Sequence, residues 1–326
     1  MRLVDITGNT PNIASFKDCE SVPADRLIGV EIELEKWGNE VNDLKYWRLE
    51  HDGSLRNNGI EFVLRQPLTG LDLQLAAQEA EDAIRQSNPE ANHRCSTHIH
   101  VDVRDFTTDQ VSLMTMVYGM FEKMLFNYVG GDREHNFYCM PMYNSLDNRM
   151  NISKSLASHS YGNTPKYSAI NLRPIMSFGS IEFRMHQAVM TADEIVEWAR
   201  IIQRIAMYAK ANDGMTLEDA LNQYSEGGAQ DLFYEVFAED AHTLLAGLSF
   251  NSLQQELEQC LHAAQDLIVL NQSPSAGMIT KLAEDNEALE KLGNKCMYTI
   301  EELKSALGTN ENVLDDLIQW VMERRG

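Results

Sequence analysis

The feature that most constrains the fold is the strict alternation of apolar and acidic residues in LIGVEIELEK, residues 27–36. Side chains of a β-strand alternate between its two faces, so this segment predicts a strand with Glu31, Glu33 and Glu35 on one face. Carboxylates two residues apart on a strand lie about 7 Å apart and repel each other. Water, a basic partner or a metal ion has to offset this repulsion.

The same alternation recurs in two other segments, whose polar side chains are carboxylates, imidazoles and a guanidinium. They are THIHVD, with His98, His100 and Asp102 on one face, and SIEFRMH, with Glu182, Arg184 and His186 on one face. A single strand of this kind is usually a solvated strand, but the recurrence favours a functional face. Carboxylates with a few imidazoles suit Mg²⁺ or Mn²⁺, and an arginine beside them suits a phosphate group.

A third signal is the segment HDGSLRNNGIEFVLRQPL, residues 51–68. Asp52 and Ser54 occupy a turn, and Glu61 lies in the strand that follows. Turn formation alone would also explain Asp52 and Ser54, because both side chains readily bond to nearby backbone. The sequence leaves the choice between turn and site open for these two residues.

The first two thirds of the chain alternate between strands and helices, which predicts an α+β fold with a mixed or antiparallel sheet. The predicted strands are residues 26–37, 45–52, 59–66, 97–106, 167–174 and 179–187, and the predicted helices are 71–87 and 107–129. Residues 130–165 show no clear period, and so long an irregular connection is typical of a lid or binding loop, with a disordered surface segment as the alternative. We therefore expect a catalytic domain over residues 1–210.

From Thr191 the pattern changes to successive amphipathic helices, with later segments near residues 229–241, 252–270, 279–291, 299–307 and 312–324. We expect residues 211–326 to form an acidic helical region packed on the catalytic domain. More than half of the excess negative charge lies in residues 210–326. The most direct interpretation of the acidic helix faces is that they are solvated, while an oligomer or partner surface is the alternative. A homo-oligomer thus stays open at this stage.

The net charge of −22 argues against binding duplex nucleic acid, which needs a basic surface. The five cysteines are scattered and form no CxxC pair, which argues against a disulfide framework and a structural zinc site. The sequence has neither a signal-peptide pattern at its start nor an apolar run long enough to span a bilayer. We therefore expect a cytoplasmic protein without membrane contact.

The motifs GVEIELE, HDGSL with GIEFVLRQP, THIHVDV and GSIEFRMH, in this order, resemble those of the amidoligase family of carboxylate–amine ligases. That family belongs to the superfamily of glutamine synthetase and glutamate–cysteine ligase, and the resemblance covers roughly residues 26–190. It implies a curved, largely antiparallel sheet of the glutamine synthetase type that holds two or three Mg²⁺ or Mn²⁺ ions and binds ATP. It also implies a carboxylate substrate, which could be a small molecule, a peptide or a protein, and an amine donor.

The resemblance further implies a role for each matched residue. Glu33 and Glu61 would share one metal ion, and Glu31, His98 and Glu182 would hold another that bridges the ATP phosphates. His100 would contact the nucleotide, Arg184 would neutralise the transferred phosphoryl group, and Asp52 and Ser54 would face the acceptor substrate. Lys166, Asn171 and Arg173 lie where such enzymes place phosphate or substrate contacts. Glu35 has no counterpart in the family, and we expect it to be a rim or solvated residue.

Two alternatives remain at the level of the sequence. The HxH pair of His98 and His100 also occurs at the first strand of metal-dependent hydrolases with an eight-stranded barrel. That class needs further metal-binding histidines along the barrel. The second alternative is a non-enzymatic structural or binding protein whose sheet is polar on one face. It predicts that neither ATP nor a metal ion binds.

Overall fold

The computed structural model describes residues 1–7, 21–38, 43–143, 145–223 and 228–246, together with positions 255, 256 and 268. All of them belong to the first of two units of the chain, Met1–Pro274. The strands are Ile28–Leu34 (β1), Trp47–Glu50 (β2), Ile60–Leu64 (β3), Ser96–Asp102 (β4), Ile170–Asn171 (β5) and Ser180–Gln187 (β6). They form one six-stranded sheet in the order β2-β3-β1-β4-β6-β5, in which every neighbouring pair is antiparallel.

The described residues also form helices before, between and after the strands. They are Leu3–Thr7 (α1), Gly70–Ser87 (α2), Thr108–Val129 (α3), Leu146–Ser158 (α4), Ile175–Phe178 (α5), Ala192–Ala211 (α6), Leu217–Asn222 (α7), Gly228–Phe237 (α8) and Ala241–Leu244 (α9). Short 3₁₀ turns cover Gly131–His135, Phe137–Cys139, Tyr161–Asn163 and Ala238–Asp240. No helix within the described ranges is long and apolar enough to cross a bilayer.

One face of the sheet carries the hydrophobic core. The alternating apolar residues of β1, β4 and β6 are buried, among them Val30, Ile32, Ile99 and Phe183. Phe183 packs edge-on against Tyr118 of α3, with ring centroids 5.3 Å apart. Because α3 and α6 pack on this face and on each other, the acidic residues of the same strands are left on the opposite face.

All six predicted strands are present in the structure, and so are the two predicted helices, with ends shifted by a few residues. The segment 130–165 is less irregular than predicted, because it contains α4. Thr107 begins α3 with a capping box, in which the Gln110 side chain bonds back to the Thr107 backbone N–H. Of the predicted C-terminal segments, residues 229–241 are helical, and those beyond 246 lie outside the described residues except at three positions.

Strand β6 contains a β-bulge that the sequence pattern did not reveal. Ile99 pairs with Phe183, but Thr97 pairs with His186, so β6 has one extra residue between these pairs. The prediction that His186 shares a face with Glu182 and Arg184 is therefore wrong. The bulge turns the His186 ring to the helical side, where its centroid lies 5.1 Å from that of Trp198.

Candidate active site

The acidic face of the sheet brings together the carboxylates and imidazoles that the sequence singled out. Pairing in the sheet aligns Glu31 with His98, Glu33 with Glu61, and His100 with Glu182. Side chains of residues paired in this way lie on the same face about 5 Å apart. Register therefore brings six of these side chains together, and Asp52 joins them from the turn after β2. We call this set the acid cluster; it is made of Glu31, Glu33, Asp52, Glu61, His98, His100 and Glu182.

His98 lies at the centre of the acid cluster and is almost completely buried. Its Nε2 lies 2.7 Å from the Ser96 hydroxyl, which also hydrogen-bonds to a carboxylate oxygen of Glu33. The hydroxyl has one proton, and Glu33 as a carboxylate can only accept it. Ser96 must then accept from His98, which places a proton on Nε2 and leaves Nδ1 as an acceptor in the neutral ring.

The Nδ1 atom of His98 faces two carboxylates. It lies 3.1 Å from Glu31 Oε2 and 3.3 Å from Glu182 Oε1. Three acceptors this close repel one another unless a proton on Nδ1 or a cation between them supplies positive charge. Adjacent ligands of an octahedral Mg²⁺ are about 3.0 Å apart. The spacing of these atoms therefore fits a small divalent ion.

The second imidazole, His100, is fixed from one side only. Its Nδ1 lies 3.1 Å from the Ser180 hydroxyl, which orients the ring. Its buried Nε2 has no hydrogen-bond partner among the described residues, although Glu31 Oε1 lies 3.4 Å away. Ligand atoms of Glu31, His100 and Glu182 all lie within 4.8 Å of one another. A buried nitrogen without a partner at this position is a further observation that fits a metal ion.

A carboxylate-only group occupies the other end of the acid cluster. Ligand atoms of Glu33, Asp52 and Glu61 lie within 4.8 Å of one another, and so do those of Glu31, Glu61 and His98. Burial, together with the negative charges of Glu31, Glu33 and Asp52, raises the pKa of Glu61 to about 9. At neutral pH this carboxyl therefore keeps a proton unless another positive charge takes its place.

Glu182 and Glu31, the carboxylates nearer to His100, have lowered pKa values. Burial disfavours the charged form of Glu182, but Arg184, His100 and His98 hold its pKa below the ordinary value. Burial likewise opposes ionisation of Glu31, while His100 and His98 hold its pKa well below the ordinary value. The cluster thus combines charged carboxylates at Glu31 and Glu182 with a protonated one at Glu61.

Arg184 extends the acid cluster on the β6 side. Its Nη1 donates to Glu182 Oε1, and its Nε donates to the Tyr138 carbonyl at 3.3 Å. Asn171 of β5 holds the other oxygen of Glu182, through a hydrogen bond of 2.7 Å from Nδ2. The guanidinium is therefore anchored at the cluster and is mostly buried.

Two predicted contacts lie outside the acid cluster. Arg173 is exposed, and its Nε donates to the Thr164 carbonyl. Lys166 is also exposed, with its Nζ 5.2 Å from the centre of the Tyr167 ring. The centre of that ring also lies 6.0 Å from the Arg184 guanidinium carbon. The Tyr167 ring therefore links Lys166 to Arg184, which contacts the cluster. The described contacts place neither cation against a cluster carboxylate.

Glu35 departs from the sequence-based expectation. It is 1 % exposed, so the prediction of a rim or solvated residue is wrong. Its two oxygens accept from Arg94 at 2.7 and 2.9 Å, and from the Arg56 backbone N–H and the side chains of Asn57 and Asn92. Burial opposes ionisation, but these donors lower the pKa of Glu35 to about 2.

Sequence reasoning also missed how Ser96 contributes to the site. The signal was present, because Ser96 precedes His98 by two residues and thus shares its strand face. Arg133 was missed as well; its guanidinium donates to the carbonyls of Arg184 and Met185, at the bulge. No local pattern marks Arg133, since its partners are 51 and 52 residues further along the chain.

The comparisons with known proteins agree with this geometry. A search of the curated proteins finds no match. A family model does match, with the description "Putative amidoligase enzyme", over residues 24–206. The match covers more than half of the chain and includes every strand and every residue of the acid cluster. This chain belongs to the amidoligase family.

Proposed function

We propose that the protein is an ATP-dependent carboxylate–amine ligase that forms an amide bond through an acyl phosphate. The observation that carries the proposal is the acid cluster, whose acceptor atoms converge at 3.1–3.4 Å with Arg184 bound to Glu182 beside them. The family description supports an amide-forming enzyme. The ATP requirement and the acyl phosphate are our proposal.

The bond changes of the proposed reaction balance as follows. A carboxylate oxygen attacks the γ-phosphorus of ATP, the bond between that phosphorus and the β–γ bridging oxygen breaks, and ADP leaves. The amine then attacks the acyl carbon, phosphate leaves with one oxygen of the original carboxylate, and the nitrogen loses a proton. Bound Mg²⁺ or Mn²⁺ ions would supply neutralisation of the phosphate charge in the first step.

The residues of this chain have distinct parts in that reaction. Two or three ions would be held by Glu31, His98, His100 and Glu182 on one side and by Glu33, Glu61 and Asp52 on the other. Asp52 would contribute a ligand oxygen to the ions, and it would also face the acceptor substrate, as the family resemblance implies. Arg184, with its orientation fixed by Glu182 and the Tyr138 carbonyl, would neutralise the transferred phosphoryl group.

We propose further that the sheet is of the glutamine synthetase type, that residues 1–210 form the ligase domain and that residues 130–165 act as its lid. Lys166 and Arg173, exposed after that segment, would contact phosphate or substrate when a ligand is bound. The substrates would be a small-molecule, peptide or protein carboxylate and an amine donor. A cytoplasmic location and the absence of duplex nucleic acid as a ligand stay predictions from the sequence.

The hydrolase alternative loses its structural basis. A barrel of that class has eight parallel strands, whereas every strand pair in the described part of the chain is antiparallel. The non-enzymatic alternative makes a different prediction for ligand binding. A sheet that is merely polar on one face should show no stabilisation by Mg²⁺ and ATP.

The test begins with thermal unfolding of the full chain with Mg²⁺ or Mn²⁺, with ATP, and with both. We expect the pair to raise the melting temperature more than either alone, and Glu33→Ala to abolish the increase. Phosphate release is then measured against panels of carboxylates and amines, with product masses. With an ¹⁸O-labelled carboxylate, we expect one label in the released phosphate.

Two results would contradict the proposal. One is the absence of any stabilisation by nucleotide with either metal. The other is an amide product whose formation leaves no ¹⁸O in the phosphate, since an acyl phosphate must transfer that oxygen.

A further inference from the structure

One large apolar side chain is exposed at the edge of the acid cluster. Phe178 is 66 % exposed and is the last residue of α5. Single exposed apolar residues are common and carry no meaning by themselves. Within the described residues, the other exposed large apolar side chains are Met1, Leu71, Leu75 and Tyr234. They lie at the start of the chain, on α2 and on α8, which contribute no residue to the cluster.

The backbone fixes where Phe178 lies. Gly179 follows it with φ of 69°, in the left-handed region, and ends α5 so that the chain enters β6 directly. Ser180, the first residue of β6, contacts His100 Nδ1 at 3.1 Å. The same short connection therefore positions both the Phe178 ring and the His100 ring.

The two rings touch. Their centroids lie 6.5 Å apart at an interplanar angle of 84°, an edge contact that leaves most of the Phe178 ring open to solvent. On its other side, His100 Nε2 lies 3.4 Å from Glu31 Oε1. An acidic group that could hold an ion, an imidazole and an open aromatic ring thus lie next to one another in this order.

We propose that Phe178 is the platform on which the base of the nucleotide stacks. The inference rests on the proposed function, since it takes the nucleotide phosphates to lie at the group of Glu31, His100 and Glu182. A nucleotide held there has an aromatic base at its other end, which gains no stabilisation from carboxylates. An open phenyl ring beside His100 offers that base a face of the right chemistry. The ligand class is a nucleoside triphosphate, as opposed to a bare polyphosphate.

The test compares two ligands that differ by the nucleoside. Isothermal calorimetry measures the Kd of Mg²⁺–ATP and of Mg²⁺–triphosphate for the wild type, Phe178→Ala and Phe178→Trp. We expect Phe178→Ala to weaken ATP binding roughly 10-fold and to leave triphosphate binding unchanged, because one stacked base is lost. Phe178→Trp should restore ATP affinity. Leu71→Ala is the matched control, since Leu71 is 68 % exposed and lies on α2.

The outcomes separate this inference from the proposed function. If the wild type binds both ligands and Phe178→Ala binds ATP equally well, the platform is refuted and the ligase proposal stands. Equal weakening of both ligands also refutes the platform, because it shows a damaged phosphate site. If the wild type binds neither ligand, the proposed function fails and the platform fails with it.

Discussion

Glu33 and Glu35 are buried carboxylates two residues apart, and their surroundings are opposite. Glu35 accepts two hydrogen bonds from Arg94 and others from Arg56, Asn57 and Asn92. Glu33 accepts from the Ser96 hydroxyl and shares its surroundings with Asp52 and Glu61. Glu35 therefore has a positively charged partner within the protein, whereas Glu33 lies among other acidic residues.

The pKa values express the same contrast. The Arg94 guanidinium and the other donors, acting against burial, lower the pKa of Glu35 to about 2. Burial and the acids around Glu61 raise its pKa to about 9. Both residues are glutamates and burial raises the pKa of both, so the opposite directions come from the neighbouring groups. A protein that leaves acids uncompensated inside a sheet face gives up stability that an external cation can return.

The largest expected effect comes from breaking the compensated pair. Arg94→Leu should lower the free energy of unfolding by about 3–5 kcal/mol, because it leaves the buried Glu35 charge without its partner. Glu35→Gln should lower the free energy of unfolding by a similar amount, because it leaves the buried Arg94 charge without its partner. Urea unfolding followed by circular dichroism measures both changes.

The control for this prediction is an exposed ion pair next to Glu35 in the chain. Lys36 contacts Glu90 at 2.7 Å with both side chains more than half exposed. Lys36→Ala should cost less than about 1 kcal/mol. A cost for Arg94→Leu as small as that of Lys36→Ala would contradict the buried-pair interpretation.

The next largest expected effect concerns the buried imidazole of His186. Burial lowers the pKa of His186 to about 4, against an ordinary value of about 6.5. The unfolded chain takes up this proton as the pH falls through 6.5, whereas the folded chain does so only near pH 4. The stabilising contribution is therefore complete above pH 6.5 and is lost between pH 6.5 and 4, in total about 3 kcal/mol.

His186→Phe removes this titration and keeps an aromatic ring beside Trp198. We expect its free energy of unfolding to fall less steeply than that of the wild type between pH 6.5 and 4, measured by urea unfolding at each pH. If the free energy of unfolding depended on pH equally in the two proteins, His186 would have the same pKa in the folded and the unfolded chain, contrary to the prediction.

The smallest expected change in stability is at the uncompensated end. Glu61→Gln keeps the shape of the side chain and removes one acid from a group of acids. Without divalent ions, the free energy of unfolding should therefore change by less than about 1 kcal/mol. With Mg²⁺, the variant should lose the stabilisation that the wild type gains. A loss of several kcal/mol in ion-free buffer would make Glu61 a structural residue like Glu35.

Much of this fold could be predicted from local pattern. Alternation identified all six strands, and one face of each polar strand supplied the members of the acid cluster. Helix α4 was missed because its sequence is mostly polar and irregular. Contacts outside the helix hold it instead, such as the hydrogen bond of 3.0 Å from Asn148 Nδ2 to the Ser168 hydroxyl, 20 residues away.

The errors in the site have a common cause in contacts that are remote along the chain. Glu35 has the same alternation as Glu31 and Glu33, and its role depends on Arg94, 59 residues away. The position of His186 depends on a bulge whose carbonyls bind Arg133. Periodicity reports which face a residue occupies in a regular strand, and neither a counter-charge nor an extra residue is visible in it.

The bulge in β6 also divides one strand into two functional halves. Before it, Glu182 and Arg184 belong to the chemistry of the acidic face; after it, His186 belongs to the packing of α3 and α6. The extra residue shifts the alternation of side chains, so the residues after it occupy the face opposite to the one that the regular pattern predicts. Deleting Met185 would therefore remove the bulge while keeping His186 opposite Thr97, and it would take away one of the two carbonyls that bind Arg133.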